Sequence, residues 1–130
     1  MLNLFQHLLN KPLMMKQGYV YILSNKNRTT LYIGVTNNIE RRVLEHKAAC
    51  GSFFTSKYNL FDLLYWEKID GMMRAIDREK QLKNWHSDWK WNLIKEDNPK
   101  LVDLARGWFT DEEIKDYKNN VMADSETSSE

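Results

Sequence analysis

The chain has 130 residues, 42% of them hydrophobic and 28% charged, with a formal net charge of +1; that is enough for one domain with a real core and too little for two comfortable ones. Its longest apolar runs are four or five residues, far below the ~20 a bilayer crossing needs, and the single Cys50 excludes an internal disulfide or a cysteine zinc cluster. The charge is uneven: residues 1–110 hold 17 Lys and Arg against 11 Asp and Glu, whereas 111–130 hold 2 against 7. A basic body with an acidic tail suits nucleic-acid contact, the tail acting as competitor or solubiliser. The opening Met1–Asn10 is too short and polar for a signal peptide, and the lone cysteine makes the reducing cytoplasm the default compartment.

Residues 1–14 read as an N-terminal extension, disordered or loosely packed, with Met14 and Met15 just before the first strand. Tyr19–Leu23 and Leu31–Val35, joined by a polar segment with turn chemistry, predict a β-hairpin. Alternation along the strands puts Val20, Ile22, Leu31, Ile33 and Val35 over a core. It leaves Tyr19, Tyr21, Leu23, Tyr32 and Gly34 on the other face, as a concave, polar-tipped surface. A helix follows over about 38–49, with Asn37 as N-cap, Glu40 completing a capping box, and Ile39 and Val43 inward. Arg42 and His46, four apart, share one side of it at the edge of the buried face. Gly51 ends this helix, and Ser52–Asn59 reads as a loop.

A third strand is expected over 61–69, and a second helix from Met72 with Met72, Ala75, Ile76, Glu79 and Leu82 as its inward stripe. Glu79 interrupts that stripe where an apolar residue belongs. Ser87 caps a third helix to about Asp97, with Trp89, Leu93 and either Ile94 or Trp91 inward. Asn98-Pro99 stops it, and Leu101 and Leu104 tuck back onto the body. Thr110 to Glu113 forms a capping box for a helical segment to about Asn119, and from Val121 the composition reads as a disordered tail. The organisation is thus an extension at 1–14, a folded domain over 15–109, and an acidic segment over 110–130.

Each unusual residue has an ordinary explanation. Tyr21 and Tyr32 could be cross-strand aromatics, Arg42 and Glu79 a structural ion pair, and His46 a packed histidine. Together, a carboxylate, a guanidinium, an imidazole and two phenols supply a metal ligand, an anion clamp and proton handlers. That is the equipment for hydrolysing a phosphodiester.

Val20-Tyr21, then Tyr32-Ile33-Gly34 eleven residues on, Arg42 ten after Tyr32, and Glu79 on a later helix resemble the GIY-YIG nuclease superfamily. The likeness covers about residues 17–100 and is to small stand-alone bacterial domains. These carry a similar Arg-x-x-x-His helix, a Thr-Ser-Lys-Tyr segment (Thr55–Tyr58) and an Arg-Glu-Lys-Gln-Leu-Lys segment (Arg78–Lys83). The chain is distantly similar to the N-terminal nuclease domain of the excision-repair C subunit. The resemblance implies an α/β (α+β) domain, a three-stranded antiparallel sheet flanked by helices. It implies a metal-dependent endonuclease acting on DNA, in repair, recombination or processing of structured DNA, as a monomer or weak homodimer. One Mg²⁺ or Mn²⁺ ion would be held by Glu79, and Arg42 would contact the scissile phosphate. Tyr21 and Tyr32 would position or deprotonate the attacking water, His46 would support or transfer protons, and Gly34 would let backbone or phosphate approach closely. Asn98 lines up loosely with an asparagine late in related domains.

Two departures stand out. No glycine occupies the first motif, Tyr19-Val20-Tyr21, and Val35 follows the YIG glycine where several active relatives have lysine. Such a lysine would depress a neighbouring phenol pKa, so proton removal would lean on the metal, His46 or Arg42. The alternative is a catalytically weak or inactive module of the same fold that binds DNA, or RNA, through Arg41, Lys47, Lys57, Arg78 and Lys83. A third reading, a protein-interaction domain contacting through the acidic tail, gives the Glu79 carboxylate nothing to do.

Overall fold

The structure is a computed structural model that describes residues 17–128; the extension expected at 1–14 lies outside the described residues. The central strand, β1 (Gln17–Ser24), is buried continuously from Val20 to Ser24. It is flanked by β2 (Leu31–Thr36) and β3 (Asp62–Asp70), in the order β2-β1-β3. Both pairings are antiparallel, with Tyr21 opposite Gly34 on one side and Trp66 on the other. The expected hairpin and three-stranded antiparallel sheet are therefore present. The helices are α1 (Ile39–Lys47), α2 (Phe53–Lys57), α3 (Met72–Lys83), α4 (Ser87–Asp97) and α5 (Asp111–Ser128).

Both faces of the sheet are covered. Val20, Ile22 and Ile33 pack with Leu64, Tyr65, Ala75 and Leu82 of β3 and α3 and with Ile94 of α4. Tyr21 and Leu23, on the opposite face, pack with Ile39 and Val43 of α1 and with Leu60, Leu63 and Ala105. The expected concave, polar-tipped face is corrected here: Tyr21 is 1% exposed, because α1 and the segment carrying Leu104, Ala105, Trp108 and Phe109 close over it. A bulge between Ile22 and Leu23, where β1 partners jump from Tyr65 to Leu63, inserts Leu64 into the register. That extra residue lets Leu64 and Tyr65 both join the α3-side core.

Local boundaries shift for identifiable reasons. Thr36 still pairs with Tyr19 in the sheet, so the cap of α1 moves from Asn37 to Asn38, whose side chain accepts from Arg41 N at 3.1 Å. The segment expected as a loop after Gly51 contains the single-turn α2, capped by Ser52 Oγ accepting from Thr55 N at 3.1 Å. Trp89 does not point inward but is 54% exposed; α4 buries only Ile94 fully, so its core seam is too narrow for a second indole. Asn98 is buried, donating to Leu64 O (3.1 Å) and Val102 O (2.8 Å) while accepting from Val102 N (3.1 Å). It serves as a latch between α4 and β3. The capping box forms at α5, with Glu113 N donating to Thr110 Oγ1 at 3.1 Å. The helix continues to Ser128, well past Asn119 where it was expected to end; no Gly or Pro interrupts the stretch. No helix among the described residues is long and apolar enough to cross a membrane.

The α3-side core predicts that Leu82→Ala, at a fully buried position, lowers unfolding free energy by about 3 kcal/mol, read as a lower urea midpoint with unchanged slope.

Candidate active site

The site is assembled around the Tyr21 hydroxyl. It reaches His46 Nε2 at 2.9 Å and accepts from Arg42 Nε at 3.2 Å. One turn of α1 separates Arg42 and His46, so both side chains descend from the same helix onto one atom of the central strand. Arg42 is pinned at its other end by Glu45, Nη1 to Oε1 at 2.9 Å, and keeps about a quarter of its side chain exposed. Glu45 also accepts from Tyr117 of α5 at 3.4 Å. His46 Nδ1 lies 3.1 Å from Thr55 Oγ1. The half-buried Tyr32 ring stands 6.3 Å from the Tyr21 ring and 5.7 Å from the imidazole.

Two glycines make the packing feasible. A Cβ at Gly34 would stand 2.4 Å from Cζ and Oη of Tyr21, and one at Gly51 2.2 Å from His46 Nδ1. Gly34 was expected to open space for a phosphate or for backbone; that space is filled by the Tyr21 ring itself. Val35 pairs with Val20 and packs against the α3-side core, so its side chain does not lie against the Tyr21 hydroxyl.

Burial sets the protonation states. It pushes the Tyr21 phenol up to about 12; the Arg42 hydrogen bond opposes this and the neighbouring Tyr32 phenol adds to it. His46 is lowered to about 4, first by burial and then by the positive charge of Arg42, with Glu45 opposing. At neutral pH both groups are uncharged, leaving Arg42 as the cation of the cluster.

Glu79 stands elsewhere. Its carboxylate is 13% exposed and pairs with Lys83 Nζ at 2.6 Å; no ion pair to Arg42 forms, α3 packing on the Val20–Ile22 face of the sheet and α1 on the Tyr21 face. No group of three or more His, Cys, Asp or Glu among the described residues is arranged to hold a metal ion. A single hard carboxylate nonetheless fits Mg²⁺ or Mn²⁺, since Mg²⁺ is commonly bound by one or two carboxylates plus waters and substrate phosphates. The candidate phosphate contacts divide. Arg41 and Lys57 are exposed, with Lys57 Nζ over the Phe53 and Tyr58 rings, and the Lys83 head is half exposed. Lys47 is bound instead to Asp103 at 2.7 Å. Arg78 is bound to Glu67 at 2.6 Å. Thr55, Ser52, Glu45 and Tyr117 escaped the sequence reading as contributors to the site. The i,i+3 spacing of Arg42 and Glu45 on α1 could have flagged Glu45, whereas Thr55, Ser52 and Tyr117 come from a short helix, its cap and a distant helix, with no periodicity to link them to the site.

Residues 17–92 match the family model described as the GIY-YIG catalytic domain. The chain belongs to the GIY-YIG family. Curated relatives are small UPF0213 proteins. That of Natronomonas pharaonis is 38% identical over 76 residues, covering 58% of this chain and 88% of the relative. That of Syntrophus aciditrophicus is 37% identical over 89 residues, covering 68% and 100%, and that of Clostridium perfringens 36% over 77, covering 59% and 82%. No solved structure matches at a significant level. Membership makes this a nuclease-type domain with a nucleic-acid substrate.

Two outcomes follow from the packing. Gly34→Ala places a methyl group inside the Tyr21 ring, so it should destabilise by about 3 kcal/mol, the upper end for overpacking, and disturb the Arg42–Tyr21 contact in the NMR spectrum. The depressed His46 makes the folded state a poorer proton binder than the unfolded chain. Its contribution is therefore fully present above about pH 6.5 and lost as pH falls towards 4. The shift bounds that loss at about 3 kcal/mol. Urea titrations at pH 7, 5.5 and 4 should show a steeper acid loss in the native protein than in His46→Gln.

Proposed function

We propose that the protein is a metal-dependent endonuclease that hydrolyses phosphodiester bonds in DNA, in repair, recombination or processing of structured DNA. It would work in the cytoplasm as a monomer or weak homodimer. The observation that carries this reading is the guanidinium of Arg42, the cation beside the uncharged Tyr21 and His46, held in place by Tyr21 and the Glu45 carboxylate. Arg42 has five N–H donors; one is given to Tyr21 and one to Glu45, and the others are available to a phosphate. Held rigidly, they offset charge as it builds on the phosphate oxygens, without reorganising during the reaction.

Tyr21 is the weaker candidate for the base. Its phenol is pushed up to about 12 and its hydroxyl is engaged by His46 and Arg42. Tyr32, half-buried at the rim, is assigned the orientation and deprotonation of water. His46 supports Tyr21 rather than carrying charge. Glu79 would hold one Mg²⁺ or Mn²⁺, releasing Lys83, and the ion would supply positive charge at the phosphate. Arg42 and Glu79 do not touch each other; in this reading they meet through the bound phosphodiester. Arg41 and Lys57 contact flanking phosphates.

The test is cleavage of linear, branched and single-stranded DNA, with RNA alongside, in Mg²⁺ and Mn²⁺. Arg42→Ala is expected to lose about 10²–10³-fold in kcat while remaining folded, with amide shifts confined to α1 and the strand carrying Tyr21, and Glu79→Ala to be inactive with a native amide spectrum. A wild-type protein that cuts nothing but binds DNA with steep salt dependence would replace this reading with the binding module.

A further inference from the structure

Inside the buried site each hydrogen has a countable destination. Arg42 offers only donors, so the Tyr21 oxygen accepts from its Nε–H at 3.2 Å. The hydroxyl then has one hydrogen of its own to place, and His46 Nε2 stands 2.9 Å away. A neutral imidazole accepting at Nε2 carries its hydrogen on Nδ1, and Nδ1 lies 3.1 Å from Thr55 Oγ1. The Thr55 hydroxyl can then donate to the Ser52 carbonyl oxygen at 3.3 Å. Its oxygen also lies 2.8 Å from Ser52 Oγ, which in turn accepts from Thr55 N at 3.1 Å. Every hydrogen is used once. In the reverse tautomer, Nε2–H and Arg42 Nε–H would both point at the Tyr21 oxygen, and the phenol hydrogen would lose His46 as its acceptor and be left with the neighbouring Tyr32 hydroxyl, in a side chain 1% exposed.

We propose that Thr55 is a positioning residue of this site: it fixes His46 as the Nδ1–H tautomer, which commits the Tyr21 hydrogen to His46 and keeps the Tyr21 oxygen as the acceptor that orients Arg42. Thr55 is fully buried, so it acts through His46 and Tyr21 and not on substrate. Gly51 belongs to the same device, since any side chain there would displace His46 Nδ1 from Thr55. Ser52 seats the hydroxyl by capping the turn that carries it. The catalytic consequence rests on the reading of Arg42 as the phosphate clamp; the tautomer does not.

The test is ¹⁵N NMR of histidine-labelled protein at neutral pH, with the His46 signals identified by their loss in His46→Gln. The expected result is a protonated, pyrrole-type Nδ1 and an unprotonated, pyridine-type Nε2. Thr55→Val removes the acceptor at nearly constant shape. It should mix the two tautomers and expose the Arg42 Nε–H to solvent exchange. It should also lower kcat by roughly 10–100-fold, as loss of a residue that orients a site histidine does, with KM for DNA nearly unchanged. Thr55→Ser should restore all three. A wild-type His46 protonated on Nε2, or a folded Thr55→Val that keeps the Nδ1–H tautomer, overturns the proposal. A wild-type protein without cleavage overturns the nuclease reading alone, because the tautomer measurement needs neither substrate nor variant.

Discussion

The structure depends on the Tyr21 hydroxyl being satisfied inside the fold. A phenol on the central strand can be buried only if its oxygen and hydrogen both find partners; an unpaired one costs about 1–3 kcal/mol. Arg42 and His46 supply those partners from a single helix face. The same two contacts dock α1 onto the sheet and fix the guanidinium. Stability and site geometry are therefore one arrangement: a change that frees Tyr21 loosens α1 and misplaces the anion clamp together.

The second layer is positioned by different means. The bulge after Ile22 turns Leu64 and Tyr65 to the same side, giving α3 a wide apolar bed. Ala75 and Leu82 anchor the helix there, and Glu79 rides between them, largely buried and neutralised by Lys83 at 2.6 Å. A carboxylate held this way is compensated by a flexible, half-exposed cation. That is a weaker commitment than the hydrogen-bonded Glu67–Arg78 pair beside it, whose guanidinium also lies 5.3 Å from the Trp85 ring centroid. The acidic C-terminal segment is likewise attached: α5 reaches the site through Tyr117 and Glu45, adding a fixed acceptor network behind Arg42.

The sequence by itself determined much of this. Period-two alternation in Tyr19–Leu23 and Leu31–Val35 assigned each side chain to a face, the α3 stripe buried Ala75 and Leu82 of its expected members, and the Thr110 capping box formed as its pattern dictates. The four-residue spacing of Arg42 and His46 placed them on one helix side, and the Tyr, Tyr-Ile-Gly, Arg and Glu spacing identified the family. These are local or periodic properties, written into backbone geometry a few residues at a time.

Tertiary structure alone decided what covers each face and which partners each charge takes. Alternation states that Tyr21 and Gly34 share a side; it cannot state that Tyr21 would fill the space above Gly34 and be buried in a cluster with Ile39 and Val43 of α1. Nor does composition reveal that Arg42 pairs with Glu45 and Glu79 with Lys83, that Lys47 is drawn to Asp103, or that Thr55 reaches His46. Lys47–Asp103 and Thr55–His46 join elements separated along the chain, and even within one helix the long side chains of the Arg42–Glu45 and Glu79–Lys83 pairs choose among several oppositely charged neighbours by distance. Only the packed fold sets those distances.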